Sequence, residues 1–148
     1  MISPEVLRRY PYFGGIQEEV LRELAMIAEE NCVAAGTVLF REGDPADHLC
    51  LIQDGEVIIQ YLLGTGELRT VDTLTEGDLL IWSALVAPYR TTAMGTATKQ
   101  THLVRIRAAK LREYCDGDPL LGYRLMTHVT KLLANRLEGA RIQLAAAG

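Results

Sequence analysis

The chain has 148 residues, 49% of them hydrophobic, which is enough for one domain whose core needs no disulfide or metal to hold it together. Its formal net charge is −4, with 15 Lys and Arg against 19 Asp and Glu, so a basic nucleic-acid-binding surface is not expected. No apolar run approaches the roughly 20 residues of a membrane span, and the N-terminus lacks the basic and apolar regions of a secretory signal. We therefore expect a single cytoplasmic domain covering residues 1–148, without membrane contact.

The first 35 residues predict short helices. Ser3-Pro4 is a typical helix start, with serine as the cap and proline at the first helical position, and this first helix is predicted to run through about Tyr10. A second helix is predicted after Gly14-Gly15, because apolar residues recur there at helical spacing: Val20, Leu24, Ile27 and Ala28.

Residues 36–107 predict a β-rich segment. Short runs of β-forming residues alternate with turn signals such as Asp54-Gly55 and Glu76-Gly77-Asp78. Many short strands at close spacing are typical of a sandwich or roll in which two sheets share one core. The predicted strands are Thr37–Phe40, Leu49–Ile52, Val57–Leu63, Leu68–Leu74, Ala93–Thr98 and Thr101–Ile106.

Residues 108–148 return to a helical pattern. We predict a short helix over Ala108–Tyr114 and a long one from Asp118-Pro119 to about Ala146, with Asp118 as its cap. The long helix would span roughly 40 Å, more than one small roll can cover, so we expect a homodimer through it. Its apolar stripe is close to a heptad pattern and consists of Met126, Val129, Leu133, Leu137, Ala140 and Leu144.

The cysteines and histidines give no sign of a metal site or a disulfide framework. The three cysteines lack CxxC spacing, and we interpret them as buried apolar side chains in a reducing compartment: Cys32, Cys50 and Cys115. The three histidines are far apart, without HxH or ExxH spacing: His48, His102 and His128. Nucleophile elbows, Walker loops and dinucleotide motifs are not found in the sequence, so we expect neither a metal site nor an enzyme.

The segment 36–57, GTVLFREGDPADHLCLIQDGEV, resembles the cyclic-nucleotide-binding domain family. Gly43 and Gly55 suit turns with positive φ, and Asp44 can close its turn through neighbouring amides. The resemblance implies a mainly β fold with flanking helices. This is a double-stranded β-helix, also described as a jelly roll or cupin-like β-roll, with short N-terminal helices and a long C-terminal helix. Because the family includes regulatory proteins, the resemblance implies that the chain is a small-ligand sensor.

The family's phosphate-binding cassette corresponds to Gly77–Ala93, but with two changes. In the family a glutamate accepts a hydrogen bond from the ribose 2′-hydroxyl, and an arginine pairs with the cyclic phosphate. Here Arg90-Thr91 matches the arginine and its hydroxyl neighbour, whereas Ile81 falls on the glycine and Trp82 on the glutamate. Loss of one charge-assisted hydrogen bond, worth about 1.5–3 kcal/mol, would weaken binding roughly ten- to a hundred-fold. Tight binding of cyclic AMP or cyclic GMP in the usual pose is therefore not expected.

Two alternatives follow for this cassette. In one, Arg90 binds a small anion or a differently posed nucleotide, with Trp82 stacking on an aromatic ring. In the other, the pocket is degenerate, Arg90 pairs with an internal carboxylate and Trp82 fills the core, which is the favoured interpretation of Trp82. No cofactor is assigned beyond a cyclic nucleotide or other small anionic ligand. The candidate ligand-binding residues are Trp82, Ser83, Ala84, Arg90, Thr91 and Thr92.

The expected function is a sensor or regulatory module; the alternative is a ligand-free dimerisation or scaffold module. In the family's transcription regulators a helix-turn-helix follows the long helix, and that module is not found here. We therefore expect no direct DNA binding, and an unidentified protein partner downstream.

Overall fold

The computed structural model describes residues 1–147, in which two four-stranded antiparallel sheets are flanked by helices. One sheet has the order β1-β8-β3-β6 and the other β2-β7-β4-β5. The strands are β1 (Ala28–Val33), β2 (Val38–Phe40), β3 (His48–Asp54), β4 (Val57–Leu62), β5 (Leu68–Leu74), β6 (Leu79–Leu80), β7 (Met94–Ala97) and β8 (Thr101–Arg107). The α-helices are α1 (Pro4–Arg8), α2 (Glu18–Ile27), α3 (Ala108–Gly117) and α4 (Pro119–Ala147), and short 3-10 helices cover Pro11–Phe13 and Trp82–Leu85. The predicted fold class is confirmed.

Two helix starts follow the predicted capping chemistry. The hydroxyl oxygen of Ser3 accepts a hydrogen bond from the amide of Glu5, at the start of α1. The Oδ1 atom of Asp118 accepts one from the amide of Leu121 at 3.2 Å, at the start of α4. Both bonds satisfy amides that a helix terminus would otherwise leave without partners. Gly148, the last residue of the predicted C-terminal segment, lies outside the described residues.

The interpretation of residues 1–35 as purely helical is wrong, because β1 lies within them. Four of its six residues, Glu29 to Cys32, are exposed, so β1 shows no alternation of apolar and polar side chains. It pairs only with β8, at the edge of its sheet. Ala28, predicted to belong to the helical stripe, is the first residue of this strand. The two-residue strand β6 was also missing from the predicted strands.

The buried residues form two cores, and the cassette packs against both of them. One core lies between the two sheets and includes Phe40, Ile52, Ile59 and Leu103. The other packs the helices against the sheet that contains β3 and β8. From α4 it includes Leu121, Leu125 and Val129, all at most 1% exposed. The first half of α4 is therefore fixed on the β-roll. Its second half runs alongside the β4–β5 hairpin.

Candidate functional site

The cassette begins at Ile81, whose backbone is left-handed. Ile81 has φ 61° and ψ 55° and precedes the 3-10 helix Trp82–Leu85. This conformation costs a residue other than glycine roughly 1–2 kcal/mol, and it is unusual for a β-branched side chain. Ile81 stands where the family pattern has glycine, so the backbone keeps the turn that glycine would favour. Its side chain is half-buried and packs against both cores.

Trp82 forms a wall of the cassette. Its side chain is half-buried and packs against the core on the helix side. The space that remains at the cassette has a volume of about 10 Å³. A single water molecule needs roughly 10–15 Å³ by the same kind of measure, so a nucleotide does not fit there. The other walls of this space are Phe40, Ile59, Ile81, Ser83, Thr91, Thr92, Ala93 and Arg136.

The structure brings four of the six candidate residues together and leaves two apart. Trp82, Ser83, Thr91 and Thr92 line the same small space. Ala84 is fully buried in the core on the helix side. Arg90 does not line this space.

Arg90 is exposed and bound to the turn beside the cassette. Its Nη1 atom donates a hydrogen bond to the carbonyl oxygen of Gly43 at 2.9 Å. Its backbone forms an isolated antiparallel bridge with Pro45. Within residues 1–147 Arg90 forms no ion pair, so the alternative in which it pairs with an internal carboxylate is not seen in the described chain.

Thr91 is buried, and its hydroxyl is used inside the protein. The Oγ1 atom donates to the carbonyl oxygen of Arg41 at 2.5 Å and accepts from the amide of Asp44 at 3.1 Å. These bonds join the end of the cassette to the turn between β2 and β3. The neighbouring Thr92 is exposed and forms no side-chain hydrogen bond with the part of the chain that the structure describes.

Arg112 of α3 holds the cassette from the helix side. Its Nη1 atom donates a hydrogen bond to the carbonyl oxygen of Ala84 at 2.7 Å. Its guanidinium carbon lies 3.9 Å from the centre of the Tyr89 ring, which is a cation–π contact. One arginine therefore joins two residues of the cassette, Ala84 and Tyr89, to α3.

Arg136 of α4 is a site residue that the sequence motifs did not indicate. Its Nε atom donates to Oδ2 of Asp72 in β5 at 3.1 Å, forming an ion pair. The Arg136 side chain is only 11% exposed and that of Asp72 29%. The only sequence signal was an arginine next to Leu137 of the apolar stripe.

A wide groove lies on the other side of Trp82, between α4 and the β4–β5 hairpin. Its volume is about 540 Å³, and Trp82 and Arg136 line both this groove and the small cassette space. Leu133, Leu137 and Ala140 form part of its helical wall. Trp82 and Arg136 therefore border both the cassette space and the groove.

The cysteines differ from one another, which corrects their interpretation as uniformly buried. Cys50 is buried, and burial raises the pKa of its thiol to about 11. Cys115 is half-buried, with its pKa also raised to about 11 by burial. Cys32 is exposed on the edge strand β1.

The histidines lie in separate places. Nδ1 of His102 is 2.7 Å from Oδ1 of Asp54, and Nδ1 of His128 lies 2.8 Å from the carbonyl oxygen of Arg124. Nδ1 of His48 is 3.2 Å from Nη2 of Arg105, and burial and this arginine lower the pKa of His48.

Across residues 1–147, no three side chains of His, Cys, Asp or Glu are grouped so that they could hold a metal ion. None of the helices in that range combines the length and apolar character needed to cross a bilayer.

The family model of the cyclic nucleotide-binding domain matches residues 30–118 of the sequence, and this range includes the whole cassette. The chain belongs to the cyclic nucleotide-binding domain family. A crystal structure of a putative cyclic nucleotide-binding protein from Geobacter metallireducens is 36% identical, with a TM-score of 0.79 over 93% of this chain and 99% of that one. The N-terminal domain of a transcriptional regulator from Streptomyces coelicolor is 29% identical, with a TM-score of 0.67 over 87% and 92% of the two chains.

A curated relative is much longer than this chain. The cGMP-dependent protein kinase, isozyme 1, of Drosophila melanogaster is 34% identical over 93 residues. That match covers 62% of this chain and 12% of the kinase. The shared part is thus a small portion of the kinase.

Proposed function

We propose that this member of the family is a non-catalytic sensor module whose cassette does not bind cyclic AMP or cyclic GMP in the usual pose. The observation that carries the proposal is Trp82, which stands at the glutamate position and walls a space of about 10 Å³. The ribose of a bound nucleotide would lack its carboxylate partner, and the space that remains beside Trp82 is too small to hold it. The position of Arg90 supports the same conclusion, because its Nη1 atom is bonded to the carbonyl oxygen of Gly43 outside this space.

Calorimetric titration with cyclic AMP and cyclic GMP tests this proposal. We expect the wild-type chain to show no binding at micromolar concentrations. The double variant Ile81→Gly/Trp82→Glu returns the family's residues and removes the indole, so we expect it to gain measurable affinity. Adding Arg90→Ala to the double variant should abolish that gain, because an arginine and a phosphate form charge-assisted hydrogen bonds. Micromolar or tighter binding by the wild type would refute the proposal.

We also propose that the chain forms a homodimer through α4, as its length suggested. Part of the predicted stripe is used internally, since Val129 is buried and Leu133 packs on the core. Tyr123, Leu137 and Leu144, however, are 70%, 70% and 75% exposed. They are separated by multiples of seven residues, which places them on one helical face suited to a parallel partner helix.

Sedimentation equilibrium tests the dimer. We expect the wild type to dimerise, and the variant Leu137→Glu/Leu144→Glu to be monomeric because two buried carboxylates per chain would lack partners. Ala145→Glu is the matched control, since Ala145 is exposed on α4 but is not one of those three residues. A wild type that remains monomeric at high concentration would contradict the dimer proposal. A cytoplasmic location, an unidentified downstream protein and the lack of direct DNA binding remain predictions.

A further inference from the structure

We propose that a small cavity between α1, β3 and the β5–β6 turn binds a small α-amino acid in its zwitterionic form. The cavity has a volume of about 100 Å³ and shares no lining residue with the cassette space. The inference goes beyond the proposed function, because it does not depend on whether the cassette binds a cyclic nucleotide. The lining residues are Val6, Arg9, Tyr10, Ile52, Gln53 and Glu76.

The hydroxyl group of Tyr10 is the observation that points to a ligand. The Tyr10 side chain is only 6% exposed, and its hydroxyl oxygen is buried with no hydrogen-bond partner within residues 1–147. Buried polar groups in native proteins are nearly always hydrogen-bonded, either to the protein or to a bound molecule. Tyr12 shows the ordinary case, since its hydroxyl donates to the carbonyl oxygen of Gly77 at 2.6 Å. The unpaired hydroxyl of Tyr10 therefore indicates a partner in the cavity that this residue lines.

Tyr10 and Arg9 together suit a carboxylate. Burial, and after it the nearby carboxylate of Glu76, raises the pKa of Tyr10 to about 12, so the hydroxyl keeps its proton at neutral pH. It can then donate to a carboxylate oxygen in a charge-assisted hydrogen bond. The guanidinium of Arg9 lines the same cavity and matches the two oxygens of a carboxylate. We therefore assign the carboxylate of the ligand to these two side chains.

The same cavity offers acceptors for an ammonium group. Arg9 and Glu76 carry the two opposite charges of the lining, and neither forms an ion pair with any other residue of the described chain. The amide oxygen of Gln53 can accept a further hydrogen bond. A ligand with a single charge would leave one of the two opposite charges without a partner. A zwitterion satisfies both, so we assign its ammonium group to Glu76 and Gln53.

The size of the cavity limits the side chain of the amino acid. Its volume of about 100 Å³ is several times the roughly 10–15 Å³ that one water needs, but well below the roughly 300 Å³ at which typical ligand sites begin. Half-buried Val6 and fully buried Ile52 are its apolar walls. A methyl group in contact with them contributes a factor of about four in affinity. We therefore expect alanine to bind more tightly than glycine.

Nuclear magnetic resonance of the full chain tests the site, with the side-chain amide of Gln53 as the reporter. The chain is titrated with glycine and L-alanine at constant pH and ionic strength. It is also titrated with propionate and with ethylamine, each of which lacks one of the two charged groups of alanine. We expect saturable shifts with alanine and about fourfold weaker binding of glycine. Propionate and ethylamine should each bind at least about tenfold more weakly than alanine, because each loses a charge-assisted contact.

Two variants with matched controls locate the ligand. Tyr10→Phe should weaken alanine binding by about ten- to a hundred-fold. The hydroxyl that it removes has no partner in residues 1–147, so the Tm of the free protein should not fall and unfolding cannot explain the loss. Glu76→Gln should remove the preference for alanine over propionate. Tyr61→Phe and Glu67→Gln make the same changes at exposed positions outside the cavity and should bind like the wild type.

Three results would each overturn the inference. If L-alanine causes no saturable shift, the cavity holds only water. If propionate or ethylamine binds as tightly as alanine, the cavity recognises a single charge and not a zwitterion. If Tyr10→Phe binds alanine like the wild type, the buried hydroxyl is not part of the site. None of these results bears on the cassette, which the cyclic nucleotide titration tests separately.

Discussion

Replacing Thr91 by valine tests whether this candidate residue serves the ligand or the fold. The substitution keeps the branched shape of a side chain that is 5% exposed and removes its hydroxyl. Two hydrogen bonds are lost, one to the carbonyl oxygen of Arg41 and one from the amide of Asp44. That amide also donates to the same carbonyl at 3.1 Å, so neither group is left without a partner. The cost is therefore the net value of two hydrogen bonds, about 0.5–1.5 kcal/mol each, or about 2 kcal/mol together.

Urea unfolding followed by circular dichroism measures this loss, and thermal unfolding should show a decrease in Tm of about 4–8 °C. The matched control is Thr92→Val, at the next position. Thr92 is exposed, and its replacement should change the free energy of unfolding by less than about 0.5 kcal/mol. If Thr91→Val is as stable as the wild type, the hydroxyl does not hold the turn between β2 and β3, and the reasoning is refuted.

Two further predictions concern pH and the attachment of the cassette. The pKa of His48 is lowered below 6.5 by burial and by Arg105, so at pH below about 6.5 the unfolded chain binds more protons than the folded one. Lowering the pH from 7.5 to 5.5 should therefore lower the urea concentration at the midpoint of unfolding. An equal decrease in His48→Gln would contradict this cause. In Arg112→Met the carbonyl of Ala84 and the ring of Tyr89 lose their cationic partner, at a cost of about 1–3 kcal/mol. Hydrogen exchange of the amides in residues 82–90 should be faster in that variant, and unchanged exchange would show that Arg112 does not hold the cassette.

The sequence indicated most of the fold because turns and apolar runs are local signals. The predicted strand Leu68–Leu74 coincides with β5, and the cap at Asp118 is present as expected. The edge strand β1 was missed for a physical reason: its side chains are mostly exposed, so its only stabilising feature is the backbone ladder with β8. Pairing of this kind leaves no periodicity in the sequence.

The site was less predictable than the fold, because a motif gives the position of a residue and not the direction of its side chain. Aligning the cassette placed Arg90 at the ligand, whereas the side chain bonds to the carbonyl oxygen of Gly43 outside the cassette space. Arg136, by contrast, reaches that space from α4, which Leu121 and Leu125 fix on the β-roll. The sequence around the cassette holds no information about what α4 contributes. What can fit into the cassette space therefore depends on a side chain from α4 as well as on the cassette itself.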